Sequence, residues 1–214
     1  MKPLLTATAL ALCASGQASA TAVVIDPIVI VEHRPSVVST LGHLYDVYAG
    51  QSFRVPESPV PFFISSITLY QGLFSTANEH AIMYLLTGPA ATFADLNLTT
   101  NPNILGASAV SSGTIFDFSD QNIELTPGET YFFYFPQSAE TQLEYTGMAS
   151  SPPGTYYVEG SAYKHWLVDS ADPFLTNPGG GDYVFTVAGV PVPEPHAYLL
   201  FSLALLLYSN KRKR

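Results

Sequence analysis

Oxygen-bearing side chains gather at two places along the chain. Asp117, Asp120 and Asn122 fall within six residues, and Asp182 directly follows a run of three glycines. Hard cations such as calcium prefer carboxylate and carbonyl oxygens of this kind. The spacing differs from the Asp-x-Asp/Asn-x-Asp/Asn-Gly calcium loop, however, and Asp, Asn and Gly are also common turn formers. We therefore predict turns at both places, keep these four residues as candidate calcium ligands, and expect no cofactor.

A group of aromatic residues forms a second pattern with chemical potential. Tyr156, Tyr163 and Trp166, the only tryptophan, follow Gly154 closely. Aromatic faces in a row can stack on sugar rings, but large aromatic side chains also supply much of the packing area in a small β domain. We favour packing in the core. A glycan-binding module that uses these three residues, assisted by calcium, is the alternative function.

Sequence signatures of catalysis are missing. The five histidines never recur at offsets that would place two imidazoles on one side of a strand or helix, and His-Glu-x-x-His and Gly-x-Ser-x-Gly are absent from the sequence. Glycoside hydrolysis needs only two carboxylates across a cleft, but the acidic residues are so abundant that such a pair can always be proposed. We expect a noncatalytic protein with no catalytic residue, and a secreted glycoside-active enzyme is the third hypothesis.

The elements that must position these residues are strands. The 17 prolines and 15 glycines leave few windows for long helices, while 47% hydrophobic residues can fill a core that a disordered chain lacks. Short apolar and aromatic runs bounded by turn residues recur along the chain. Many strands without covering helices imply two packed antiparallel sheets or a closed barrel. We predict an all-β fold, an antiparallel jelly-roll-like β-sandwich.

The clearest local signal is the segment Thr126-Pro127-Gly128-Glu129. Proline presets φ at the second turn position and glycine tolerates a positive φ at the third, which is typical of a type II turn. This turn predicts a hairpin that joins strands at 123–125 and 130–135. The aromatic run 131–135 places rings on both faces of its sheet, which predicts a central strand covered from both sides. The other predicted strands are 22–31, 47–55, 62–70, 80–86, 104–110, 114–118, 142–146, 155–164 and 182–188.

Residues 1–20 have the features of a secretory signal peptide. Lys2 precedes an apolar stretch, and Ala18-Ser19-Ala20 is typical of a cleavage site. Export would then use the Sec translocon and signal peptidase. The single cysteine, Cys13, leaves with this segment, and Leu12 occupies the position where a lipoprotein has a small residue. The mature protein must therefore be stabilised by packing and backbone pairing without a disulfide.

The charge of the remaining body is strongly negative. Without Lys2, Glu194 and the four C-terminal cations, three basic residues remain against 16 acidic residues, a net charge of −13. Nucleic-acid binding draws most of its free energy from Lys and Arg, so we expect no nucleic-acid partner. Self-repulsion keeps such a domain soluble and disfavours anionic polymers. Neutral glycans or cations are more suitable partners for this acidic domain than anionic polymers are.

The far end of the chain has the pattern of a membrane anchor. Residues 197–208 are almost entirely apolar, and Lys211-Arg212-Lys213-Arg214 follows shortly after. Cations beside an apolar segment hold that end in the cytoplasm, which places the domain outside. The run covers about 18 Å at about 1.5 Å per residue, against about 30 Å for a bilayer core. We therefore predict a short transmembrane helix.

Val192-Pro193-Glu194-Pro195, the apolar segment and the basic terminus together resemble the PEP-CTERM sorting signal of exported bacterial proteins. The resemblance covers 23 of the 214 residues. It implies transient anchoring in the inner membrane and processing by exosortase, a membrane transpeptidase, with a cut near Pro193 to Pro195. It also implies transfer to the cell surface or to an extracellular exopolysaccharide matrix. From this resemblance we expect a structural or interaction role in a matrix or biofilm.

The body is similar to the choice-of-anchor β-sandwich domains of exported proteins. The similarity lies in Gln51-Ser52-Phe53, Ile67-Thr68-Leu69-Tyr70 and Pro127-Gly128-Glu129-Thr130-Tyr131. The sequence contains no internal repeat. We predict a signal peptide at 1–20, one β-sandwich domain at 21–189 and the sorting tail at 190–214.

Overall fold

A computed structural model describes residues 26–35, 39–40, 46–70, 82–109, 111, 114–135, 149–150, 157–166, 173–176 and 182–192. Short strands dominate this part of the chain, and two 3-10 helices lie at Phe93–Asp95 and Ser119–Gln121. The strands are β1 Ile28–His33, β2 Ser39–Thr40, β3 Asp46–Arg54, β4 Phe62–Leu69, β5 Tyr84–Leu86, β6 Ile104–Ala107, β7 Ile115–Asp117, β8 Glu124–Leu125, β9 Thr130–Tyr134, β10 Ala149–Ser150, β11 Ala162–Trp166, β12 Leu175–Thr176 and β13 Phe185–Pro191.

These strands form two large sheets and one short ribbon. The five-stranded sheet has the order β1-β13-β4-β7, with β8 also paired to β4, and the six-stranded sheet has the order β12-β11-β3-β9-β5-β6. The ribbon pairs β2 with β10. Neighbouring strands run antiparallel throughout both large sheets. The predicted all-β, antiparallel fold class is confirmed.

One core is shared by the two large sheets. Phe62 and Ile64, and then Ile67 and Leu69, are buried in β4, and the alternation shifts by one residue at the irregularity in its pairing with β13. Phe185 of the five-stranded sheet contacts Phe53 and Phe133 of the six-stranded sheet, with ring centroids 6.3 and 5.6 Å apart. All three rings are fully buried. The core therefore lies between the sheets, and aromatic contacts across it hold them together.

Strand β9 carries rings on both faces, as predicted. Tyr131 and Phe133 belong to the shared core, whereas Tyr134 packs on the other side of the six-stranded sheet. Phe174 stacks on the Tyr134 ring at a centroid distance of 5.3 Å. We use the term outer aromatic cluster for the group on this second face. Its members are Tyr84, Leu86, Ala90, Phe93, Leu96, Ile104, Phe132, Tyr134, Tyr163 and Phe174.

The predicted turn at 126–129 forms, but the predicted hairpin is wrong. Gly128 has φ +79, and the Glu129 N–H donates to the Thr126 carbonyl at 3.3 Å. Strand β8 pairs with β4 in the five-stranded sheet, whereas β9 pairs with β3 and β5 in the six-stranded sheet. The turn carries the chain from one sheet to the other because Leu125 and Tyr131 both pack into the core between them.

The observed strand bounds differ most from the predicted ones where turn residues interrupt an apolar pattern. The strand predicted at 155–164 is wrong in its middle, because the Gly160 N–H donates to the Tyr157 carbonyl at 3.3 Å and forms a turn. Strand β11 begins only at Ala162. The prediction for 142–146 lies outside the described residues, as do the predicted signal peptide and the tail from residue 193 onward. No helix within the described segments has the length and apolar character to cross a bilayer.

Candidate functional site

The three oxygen-bearing residues near position 120 lie at the edge of the five-stranded sheet. Asp117 ends β7, Asp120 lies in the following 3-10 helix, and Asn122 caps that helix in the left-handed region at φ 52. The Asp117 carboxylate accepts a hydrogen bond from the Ser119 N–H at 2.9 Å, and all three side chains are exposed. Their local role is to form a turn. Calcium binding by them stays a prediction.

Asp182 has a different environment, since it is only 5% exposed. Its Oδ1 accepts hydrogen bonds from the Gln51 side-chain amide at 3.1 Å and from the Ala162 N–H at 3.0 Å. Its Oδ2 accepts one from the Tyr157 N–H at 2.8 Å. Hydrogen bonds to a buried carboxylate are strong. Asp182 therefore connects β3, β11 and the turn before β11, and a cation would have to displace these donors.

Gln51 completes this buried group. The side chain is fully buried, its Oε1 accepts a hydrogen bond from the Tyr183 N–H at 3.1 Å, and its Nε2 donates to Asp182. Gln51 and Asp182 are 131 residues apart in the sequence. We use the term Asp182 cluster for these two side chains and the backbone N–H groups of Tyr157, Ala162 and Tyr183. The cluster is not recognisable from the sequence because no local pattern marks Gln51 as the partner of Asp182.

His33, at the end of β1, lies beside the Asp182 cluster. It is 9% exposed, and its ring centroid is 5.6 Å from that of Tyr157 and 6.1 Å from that of Phe185. Within the described chain its Nε2 has no hydrogen-bond partner. Burial lowers the pKa of His33 below 6.5, while the negative charge of Asp182 raises it. The imidazole is therefore mainly neutral at pH 7.

Tyr157 is held in its neutral form as well. Burial raises the pKa of the Tyr157 phenol to about 12, and the hydrogen bonds with the Arg54 backbone lower it. The phenol oxygen accepts from the Arg54 N–H at 3.3 Å and donates to the Arg54 carbonyl at 3.4 Å. His33 and Tyr157 thus form a neutral, packed contact between β1 and the turn before β11. No three His, Cys, Asp or Glu side chains of the described residues lie close enough to share a metal ion.

Of the three candidate sugar-stacking residues, the structure places the side chain of Tyr163. Its ring packs in the outer aromatic cluster, with centroids 5.4 Å from Tyr134 and 6.0 Å from Phe132. Burial raises the pKa of the Tyr163 phenol. Tyr156 lies outside the described residues, and Trp166 is described only in its backbone, which pairs with Asp46. Glycan stacking by these residues stays a prediction, and the contacts of Tyr163 are those of a packed side chain.

The paired strand β13 reaches the predicted sorting motif directly. The strand continues two residues past position 189, with Val190 opposite Phe63 and Pro191 opposite Phe62. The Val192 N–H then donates to the Pro61 carbonyl at 2.9 Å. Pro193, Glu194, Pro195 and the basic cluster 211–214 lie outside the described residues. No residue therefore separates the hydrogen-bonded end of the sheet from the first proline of the motif.

Comparison with known proteins found no protein-family model that matches this chain and no characterised protein with significant similarity to it. The two-sheet fold, the Asp182 cluster and the position of the predicted sorting motif are the features from which its function must be inferred.

Proposed function

We propose that this chain is a noncatalytic exported protein, sorted by the PEP-CTERM and exosortase system, with a structural or interaction role at the cell surface or in an exopolysaccharide matrix. The observation that carries this proposal is the order of four features along the sequence. They are the signal-peptide pattern at 1–20, the motif Val192-Pro193-Glu194-Pro195, the apolar run 197–208 and the basic cluster 211–214. Each feature alone is common, but this order is typical of a sorted surface protein.

The tail serves as a temporary anchor. The apolar run partitions into the bilayer, and the basic cluster remains on the cytoplasmic side, so the domain lies outside. A segment of about 18 Å is short for a bilayer core of about 30 Å. Such a segment retains the protein less firmly than a full span, which suits an anchor that is removed by a cut near Pro193 to Pro195. The residues that catalyse this cleavage belong to exosortase.

The end of β13 supports a tail that is separate from the domain. Because β13 is paired on both sides and Val192 is bonded to Pro61, the central strand of the five-stranded sheet is complete before the motif begins. Cleavage near Pro193 to Pro195 then leaves every described backbone pairing intact. The released domain keeps its fold.

The charge distribution supports a neutral or cationic partner. Arg34 lies 3.6 Å from Glu32, and Arg54 lies 3.3 Å from Glu57. Arg34 also lies over the Tyr70 ring at 4.4 Å. The two arginines whose side chains the structure describes in the acidic body are thus engaged with their neighbours, which disfavours capture of an anionic polymer. A neutral exopolysaccharide fits this surface better.

For the domain architecture we propose a jelly-roll sandwich. Eight of the strands form four nested pairs. From the outermost pair in the sequence to the innermost, these are β1 with β13, β3 with β9, β4 with β7 and β5 with β6. Such nested pairing is what a long hairpin gives when it wraps into two sheets. The strand orders β1-β13-β4-β7 and β3-β9-β5-β6 support this assignment, with β11 and β12 added at one edge.

The sorting proposal is tested by replacing residues 211–214 with neutral serine and glutamine in the native host. We expect weaker membrane retention and impaired processing, because the cations that orient the tail are lost. The matched control neutralises Arg34 and Arg54, which are cations of the domain, and should be processed normally. Processing of the tail variant at the rate of the parent contradicts the proposal.

A further inference from the structure

The two ends of the domain meet at one end of the five-stranded sheet. Strand β1 starts there, with Ile28 opposite Gly189, and β13 finishes there, with Pro191 opposite Phe62. Since β1 and β13 are antiparallel neighbours, the chain enters the domain beside the point where it leaves for the tail. We use the term tail end for residues 26–29, 61–62 and 190–192.

The tail end is close to the bilayer whenever the tail is inserted. Five Cα to Cα steps join Val192 to Ala197, the first residue of the apolar run, and they span at most about 17 Å. The polar zone of one leaflet occupies about 5 to 8 Å of that distance. Val192, whose N–H is bonded to the Pro61 carbonyl, therefore lies within about 12 Å of the headgroup surface, even if residues 193–196 are fully extended.

The tail end also exposes apolar side chains. Ile28 and Val29 are 48% and 58% exposed on β1, the outermost strand of its sheet. Successive residues of a strand point to opposite faces, so this pair presents apolar surface on both sides of the edge. Asp26 is exposed next to the pair, and Glu124 is exposed on β8 opposite Phe63. An apolar edge with acidic neighbours fits zwitterionic headgroups better than anionic ones.

We infer that the anchored domain rests by its tail end on a lipid surface of zwitterionic headgroups, with Ile28 and Val29 at the interface. This inference rests on the proposed function, because it requires the tail to be inserted in the bilayer. Asp182 precedes Ala188, the partner of Val29, by six residues, which span about 20 Å when the chain is extended. The end that holds the Asp182 cluster and the turn at 157–160 then points away from the membrane and is the end open to matrix partners.

Site-specific fluorescence on the full chain tests this orientation. Cys13→Ser removes the only cysteine, and Ile28→Cys or Val158→Cys then supplies one exposed position for an environment-sensitive dye. Val158 is 92% exposed and follows Tyr157, which is bonded to Asp182. In phosphatidylcholine nanodiscs that contain a headgroup spin-labelled lipid, we expect quenching several-fold stronger at position 28 than at 158. The difference in quenching between positions 28 and 158 should become smaller when anionic lipid is added at low salt. If Ile28→Cys misfolds, Val29→Cys gives a second probe.

Flotation of the unlabelled chain with phosphatidylcholine liposomes, compared with flotation of the same chain ending before Ala197, reports insertion of the tail separately. If the chain floats but both dyes are quenched equally, or the dye at 158 is quenched more, the orientation is overturned while the sorting proposal stands. If the chain does not float, both the orientation and the sorting proposal are overturned.

Discussion

Replacing Asp182 by alanine removes the acceptor that connects β3, β11 and the turn before β11. The backbone N–H groups of Tyr157 and Ala162 then lose their acceptor, and the Gln51 amide keeps only its hydrogen bond to the Ser52 carbonyl. Each unsatisfied buried donor costs about 1–3 kcal/mol, and water entering the space left by the carboxylate offsets part of this loss. We expect Asp182→Ala to lower the free energy of unfolding by about 3–5 kcal/mol, the sum of these losses after partial compensation by water.

Urea denaturation of the purified protein measures this change. With a denaturant slope of about 1–3 kcal/mol per molar, the midpoint should fall by more than about 1 M. The control is Asp117→Ala, which removes one exposed hydrogen bond to Ser119 and should change stability by less than about 1 kcal/mol. Asp182→Asn keeps one carbonyl oxygen and should fall between alanine and the parent.

An Asp182→Ala midpoint equal to that of the parent contradicts the role assigned to the Asp182 cluster. Repeating the urea denaturation with added calcium distinguishes this structural role from metal binding. If Asp182 bound calcium, the ion would raise the midpoint of the parent and not that of the variant. We expect calcium to leave the difference between the two proteins unchanged.

Three further predictions concern single residues. Because burial lowers the pKa of His33, the unfolded chain binds a proton below about pH 6.5 that the folded chain resists, so stability falls between about pH 7 and 5.5. His33→Phe should flatten that fall in urea titrations, and an unchanged slope contradicts the assignment. Gly128 has φ +79, so Gly128→Ala should cost about 1–2 kcal/mol by thermal or urea melting, and a neutral effect contradicts the turn geometry. A side chain at Gly50 would meet the Phe133 carbonyl in the neighbouring strand, so Gly50→Ala should abolish cooperative unfolding in calorimetry, and a sharp transition near that of the parent contradicts the close approach.

Local signals in the sequence predicted one turn and most of the longer strands that the structure describes. The proline and glycine of 126–129 identified the turn, and the aromatic run 131–135 identified a central strand, because both signals depend on neighbouring residues. The partner of each strand depends on residues far away in the chain. Glu124–Leu125 pairs with β4 and not with β9, and nothing within the segment distinguishes a turn within one sheet from a turn between two sheets.

For the candidate sites, too, local sequence does not reveal partners that are distant in the chain. Asp182 beside three glycines has the composition of a turn with cation-binding oxygens, yet the structure gives its carboxylate three N–H donors. Its partner Gln51 is 131 residues away, a distance that no local pattern spans. Tyr163 was expected to pack, and it does so against Phe132 and Tyr134. The proposed sorting motif can be recognised from sequence because the resemblance depends on local composition and not on tertiary contacts.

Mass spectrometry of both termini of the mature protein from its native host tests the sorting proposal most directly. We predict an N-terminus immediately after Ala20 and a C-terminus near Pro193 to Pro195, with residues 197–214 removed. A cytosolic protein that retains Met1 at one end and Arg214 at the other contradicts the proposal, and the inferred resting position on the membrane fails with it.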